Sequence, residues 1–437
     1  MAEEFVGLEH GQIGFFWPVR RRIPDLNEDE PDRGHARIEG QWATIDVLIE
    51  DVEQSWLSGD NDRPPTAIMA LTPETAAVLL EVDGPYRTHR WGTRASSARY
   101  RARTVVGGLD ITALRVTKPL AVNAHFRGIG TWAGLSSATE SRTTKPDGRL
   151  ETWAINLKSG EEQVVKLPGA RRLVLSTHWS VSGPVDQRSI ATSVTVGCEA
   201  SRPRDIWDLL GPLVQVQGLL STVHAGFVPA TGGTATMSMV ESRHDPRAPA
   251  PWLWNGALMV PSAGSAAPEY PDSPVLTLQE LGGVPALRRW VALATNHPRA
   301  VTPIVNQYRL GSTTPAVALL EVAAGIEYWV RSHGHARWAT KSRFASALAA
   351  KSGRSFSKWV GDPEAWAAAL WAANNHLKHE PIYVPDPYEL SDLASSGRWL
   401  LTATVLDQVA GSKSPSRTIF QDHRLALLGS RLRNRFT

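Results

Sequence analysis

Apolar and polar residues alternate at short range through the first half of the chain. In ARIEGQWATIDVLIED the apolar positions Ile38, Trp42, Ile45, Val47 and Ile49 are interleaved with polar ones. The stretches TAIMALT, RTVVGGLDITALRVTK, LAVNAHFRGIG, RRLVLSTHWSVSG and ATSVTVGCEAS are short, rich in β-branched residues and bounded by Gly, Pro, Asp or Ser. This pattern predicts strands. Pro146-Asp147-Gly148 precedes one of them and predicts a turn, since Pro fixes φ and Gly accepts a positive φ. One helix interrupts this half, in RPRDIWDLLGPLVQVQGLLSTVHAG, with Asp205 near its start. Residues 246–276 are rich in Pro, Ala, Gly and Ser and mark a junction, although Trp252, Trp254 and the run ALMVP argue against a free linker.

Beyond the junction the apolar spacing becomes helical. PALRRWVALATNH, RAVTPIVNQYRL and TKSRFASALAAKSG predict short helices. TPAVALLEVAAGIEYWVRSHG predicts a longer one, capped by Thr314 with Pro315 in the first turn and Gly334 past the end. Asp362-Pro363 opens the helix of DPEAWAAALWAANNHLKHE, and Asp386-Pro387 opens the next. SPSRTIFQDHRLALLGSRLRNRF closes the chain as further helix. The expected fold class is α+β with several domains. A β-rich, sandwich-like domain spans residues 1–245, a bridging segment 246–284, and an all-α helical bundle 285–437.

Composition narrows the classes. Cys198 is the only cysteine, which excludes a disulfide framework within the chain and argues against a cysteine-based zinc site. MAEEFVGLEHGQIGFFW lacks the pattern of a signal peptide, and no apolar run has the length of a membrane span, so a cytoplasmic location without membrane contact is expected. Seventeen Trp stand against seven Tyr, and each buried indole N–H needs a partner. The net charge of +3 is uneven: residues 285–437 carry 19 Lys and Arg against 10 Asp and Glu, while the rest is net acidic. A cationic helical half suits a polyanion, although Arg-rich helices are also commonly just solvated.

The densest candidate chemistry is NNHLKH, residues 374–379, at the end of the Asp362 helix. Asn375 and His379 are four residues apart and share a face; Asn374 and Lys378 form the neighbouring pair. Glu380 precedes Pro381, which biases it away from helical backbone and places His379 in the last turn. A helix C-terminus favours the imidazolium, and a histidine poised between its two forms suits general acid–base chemistry. Lys378 and an Asn amide could hold a phosphate. Basic residues also favour helix ends for purely structural reasons.

This stretch resembles the active-site motif of HEPN domains, helical bundles many of which are ribonucleases. In that motif an Arg, followed by a polar residue such as Asn, precedes a His on the same helix. Asn375 matches the polar position and His379 the catalytic His, while Asn374 stands where the Arg should be. GQIGFFWPVRRRIPDLNEDEPDRGHARIEGQWATIDVLIE resembles the opening of ApeA-like N-terminal domains at Gly14, Phe16, Trp17, Pro18, Gly40 and Trp42. LLEVAAGIEYWVRSH resembles the first long HEPN helix of that family, with Ile326-Glu327 as the counterpart of its apolar-Glu step.

The resemblance implies an antiphage, abortive-infection protein whose β-rich domain senses or restrains and whose HEPN domain cleaves RNA, tRNA being one candidate. It implies no cofactor or metal. The RNA 2′-hydroxyl attacks the adjacent phosphate with His379 as acid or base, two protomers face each other as a homodimer, and a phage protein could be the trigger. Asn has no charge and cannot replace a bidentate guanidinium. Lys378, or an Arg from another helix (Arg331, Arg424, Arg431 or Arg433), could compensate, and His376 is a further candidate for substrate contact.

Two alternatives stand beside this one. In the first the HEPN domain is degenerate and binds RNA or a partner protein without cutting. In the second the Trp-rich β half is a ligand-binding sandwich and the helices are its scaffold. His333 and His335 lack a ligand partner at zinc spacing, and GGLDITALR and FRGIGTWAG complete no phosphate loop. Ser176, Thr177 and His178 fit strand alternation better than a hydrolase site.

Overall fold

Alternation along the first strands sends one set of side chains into a ring of strands and the other set outward. A computed structural model describes residues 11–437 apart from 21, 50–62, 90–95, 238–249, 260–266, 268, 270, 271, 312, 334–342, 381 and 383. Strands β1 (Gln12–Val19), β2 (Asp32–Glu39), β3 (Trp42–Ile49), β4 (Ala67–Leu71), β5 (Ala76–His89) and β6 (Ser96–Leu109) pair antiparallel in the order β6-β3-β2-β1-β4-β5. β5 also pairs with β6, so the six strands close into a barrel. Phe16, Ile45, Ile68, Leu79 and Tyr100 fill one buried cluster. Their sequence neighbours Trp17, Met69, Val78 and Leu80 belong to a second, larger one.

The sheet continues outward from β6. Its further strands are β7 (Ala121–Phe126), β10 (Gln163–Leu167), β11 (Arg171–Ser182), β12 (Ser189–Ala200), β13 (Ala230–Thr236) and β14 (Trp252–Asn255). They are ordered β14-β13-β7-β12-β11-β10 from the barrel to the free edge. β8 (Ala138–Thr144) and β9 (Leu150–Leu157) form a separate hairpin. Its turn holds the expected Pro146-Asp147-Gly148, with Gly148 at φ +80°. LAVNAHFRGIG is only partly strand: the chain leaves β7 at Phe126 and turns at Gly128 into a short helix α1 (Ile129–Ala133). Gly128 adopts φ +76°, which ends the extended backbone.

Helix α2 (Ile206–Val223) lies where the sequence places one, with Asp205 accepting the Trp207 backbone N–H at 3.0 Å. It packs against β7 and β12 as well as against later helices. After a four-residue helix α3 (Gly256–Met259) come α4 (Pro285–Asn296), α5 (Pro298–Arg309), α6 (Pro315–Ser332), α7 (Arg343–Ser352) and α8 (Arg354–Val360). The chain ends with α9 (Pro363–His379), α10 (Pro387–Ala410), α11 (Ser414–Gln421) and α12 (Ala426–Arg435). The β-rich front and the helical back are both as expected. The larger buried cluster runs from the sheet through α2 into the bundle without a break. Gly397 of α10 lets that helix approach α6 and α9, because a Cβ there would meet Val322 and Leu370 at 2.9 Å. Among the described residues no helix is long and apolar enough to cross a membrane.

His224, just past α2, is 1% exposed, and neither ring nitrogen has a hydrogen-bond partner among the described residues. Burial, aided by the charge of Arg424 and opposed by Asp272, lowers its pKa from 6.5 to about 4. The folded protein therefore holds His224 neutral where an unfolded chain would protonate it. Its contribution to stability is present above pH 6.5 and declines as pH falls toward about 4. His224→Phe should flatten the stability profile across that window in denaturant melts at stepped pH. An unchanged slope would contradict this.

Candidate functional site

α9 is built to hold its C-terminal turn rigidly. Asp362 caps it by accepting the backbone N–H groups of Glu364 at 2.8 Å and Ala365 at 3.2 Å. Trp366, Leu370 and Trp371 bury one side. The Trp366 indole donates to Ser396 Oγ of α10 at 2.9 Å, and Trp371 meets Phe344 of α7 edge-on at 5.9 Å. At the other end Glu380 leaves helical backbone at φ −118° and ψ 93°. Its N–H still donates to His376 O at 2.9 Å. Pro381, the expected stop, lies outside the described residues, as do Gly334 and His335.

The last turn sorts the six residues by depth. Asn375, Lys378 and His379 are all exposed. Asn375 and His379 share a face, and Lys378 precedes His379 on the same open end. Asn374 differs: it is 1% exposed, and its Oδ1 has no hydrogen-bond partner among the described residues. It does not share the open face with Lys378, because the stripe that buries Leu370 and Trp371 continues through it. His376 is half-buried and its Nδ1 lies 2.7 Å from Glu380, one turn on, so its imidazole is engaged within the helix.

The four arginines considered as substitutes for the missing guanidinium are committed elsewhere. Arg331 pairs with Glu327 at 2.8 Å and lies over the Phe344 ring at 5.2 Å. Arg424 binds both oxygens of Asp422 and the Ser273 carbonyl, and its charge is felt at His224. Arg431 grips Asp392 of α10 through two nitrogens, and Arg433 donates to Trp359 O at 3.2 Å. Lys378 is left as the cation on the open turn, with no acidic partner among the described residues.

Sequence reasoning missed the segment between α9 and α10. Ile382 and Val384 there are each 91% exposed, and Tyr388 in the first turn of α10 is 81% exposed. Apolar residues set between Pro381, Pro385 and Pro387, with no helical or strand phasing, were the available signal. Among the described residues no three His, Cys, Asp or Glu side chains converge as a metal-ligand group.

Residues 13–290 match the family model described as ApeA N-terminal domain 1. The matched span takes in the barrel, the outer sheet, α2 and the first turns of α4, and stops before α9. No curated protein and no solved structure matches the chain.

Proposed function

The chain belongs to the ApeA N-terminal domain 1 family, and from that premise we propose that it acts in antiphage defence with its helical half as a metal-independent RNA endonuclease. The observation that carries this reading is the open Asn375–Lys378–His379 turn at the end of a well-anchored helix in the cationic half. His379 takes the proton from the RNA 2′-hydroxyl as its oxygen attacks the adjacent phosphorus, or returns one to the leaving 5′-oxygen. The new bond is 2′-oxygen to phosphorus and the broken one is phosphorus to 5′-oxygen. The products carry a 2′,3′-cyclic phosphate and a 5′-hydroxyl. Asn375 orients the imidazole or the attacking hydroxyl, and Lys378 holds the phosphate.

One histidine serves one of the two proton transfers. A second copy of the chain, facing the first across the exposed Ile382, Val384 and Tyr388, would bring a second His379 for the other. A homodimer is therefore part of the proposal. Losing the guanidinium removes charge stabilisation of about 2–4 kcal/mol, so the enzyme is expected to be slow unless Lys378 compensates.

Buried Asn374 and the engaged arginines favour a second reading, a HEPN-like bundle that binds RNA without cutting it. Incubation of the purified protein with total RNA and with tRNA in EDTA separates the two. Cleavage that persists in EDTA is expected. Cleavage abolished by EDTA would overturn the metal-free mechanism, and RNA binding without cleavage would establish the second reading.

A further inference from the structure

Two stretches with no role in RNA cleavage meet in the outer sheet. FRGIGTWAG supplies the end of β7 and the α1 turn, and VLSTHWSV supplies His178 of β11. β12 lies between them: Thr195 sits opposite His125 of β7, and His178 Nε2 lies 3.0 Å from the Thr195 hydroxyl. Beside them opens a cavity of about 560 Å³. Its walls come from three separate pieces of the fold. The sheet contributes His125, Thr192, Ser193 and Thr231, the α1 turn contributes Thr131, and the segment leading to the helical half contributes Asp272. Thr231 is the extra residue of a β-bulge, since Ala230 pairs with Phe126 and Gly232 with His125. A bulge re-aims the side chain it carries.

We propose that this cavity binds a neutral, polyhydroxylated ligand, a sugar or the ribose of a nucleoside. The hydroxyls of Thr131, Thr192, Ser193 and Thr231 have no hydrogen-bond partner among the described residues, so each can both donate and accept. His125 likewise has no partner there. Burial, with His178 beside it, pushes its pKa down and keeps the ring neutral, with one donor and one acceptor. The Asp272 carboxylate can accept from two hydroxyls at once. Among the described residues that line the cavity there is no Lys or Arg, which disfavours an anionic ligand. The volume lies within the range of small-ligand pockets, about 300–1,000 Å³.

The placement couples the site to the rest of the molecule. The segment carrying Asp272 is tied to α1 by the Leu278 N–H, which donates to Trp132 O at 2.9 Å. A ligand bridging His125 and Asp272 therefore braces the sheet against the segment that leads into α4.

Calorimetry and ligand-observed NMR on the full chain test this with D-glucose, D-ribose and uridine, and with glucose 6-phosphate and UMP. At least one neutral probe should bind. His125→Phe and, separately, Asp272→Ala should each weaken it about tenfold or more, with unchanged far-UV circular dichroism. Asp272 is exposed, so its variant keeps the test valid should the His125 variant misfold. Glucose binding assigns a free sugar; uridine and ribose binding without glucose assigns a nucleoside ribose. The proposal is overturned if no neutral probe binds at about 10 mM, if the phosphates bind more tightly than their neutral parents, or if both variants keep wild-type affinity.

Discussion

His379→Ala should lower RNA cleavage by about 10²–10⁴-fold, the range expected on removing a general acid or base. Its circular dichroism and melting temperature should match those of the parent, because His379 is exposed. Neighbouring residues provide the controls. Asn375→Ala, on the same face, should cost less, since it removes an orienting group and not the proton carrier. Lys378→Ala should weaken RNA binding and reduce its salt dependence by about one ion, as for the loss of a single phosphate contact. His376→Ala should leave cleavage near the parent level, because its imidazole is taken up by Glu380. A rate unchanged by His379→Ala would remove the turn from the mechanism.

Trp290→Ala should destabilise the protein by about 3–5 kcal/mol. Trp290 of α4 is 0% exposed, and its indole donates to Gln215 O of α2 at 2.7 Å. α4 touches α2, β10 and α10, so this ring sits where the sheet meets the bundle. Its removal leaves a cavity there and takes the indole hydrogen bond from the Gln215 carbonyl of α2. The expected result is that tryptophan fluorescence and far-UV circular dichroism report one unfolding transition, shifted to lower denaturant for both halves. A variant that lost helical signal alone while the strand signal kept its parent midpoint would show that the halves unfold independently.

Much of the local structure was legible because caps and periodicity are local properties. Asp362-Pro363 and Asp386-Pro387 start α9 and α10 as expected, with both aspartates accepting backbone N–H groups. Closure of the barrel was not legible. Alternation states which face a residue takes, but not that β5 returns to β6 with Leu79 opposite Val105. The short α8 is only seven residues, too short for a periodic signal. The final helix divides because Asp422 turns out to extended backbone and caps a new turn through the Arg424 N–H.

The candidate site shows the same limit. Helical spacing puts Asn375 and His379 on neighbouring turns of one side of the helix, and both are exposed there. It could not foresee that Asn374 lies under the bundle, because that depends on how α9 rotates against its neighbours. Nor could it rank the arginines. Their partners Asp392 and Glu327, and the Trp359 carbonyl, become apparent only in the folded chain. His125 and His178 were likewise separated in sequence and joined through β12.

Chemical analysis of the RNA ends left after incubation in EDTA tests the central claim most directly. The predicted result is a 2′,3′-cyclic phosphate on one product and a 5′-hydroxyl on the other, both absent with His379→Ala. A 5′-phosphate paired with a 3′-hydroxyl would contradict it, because water and not the 2′-oxygen would then have attacked phosphorus.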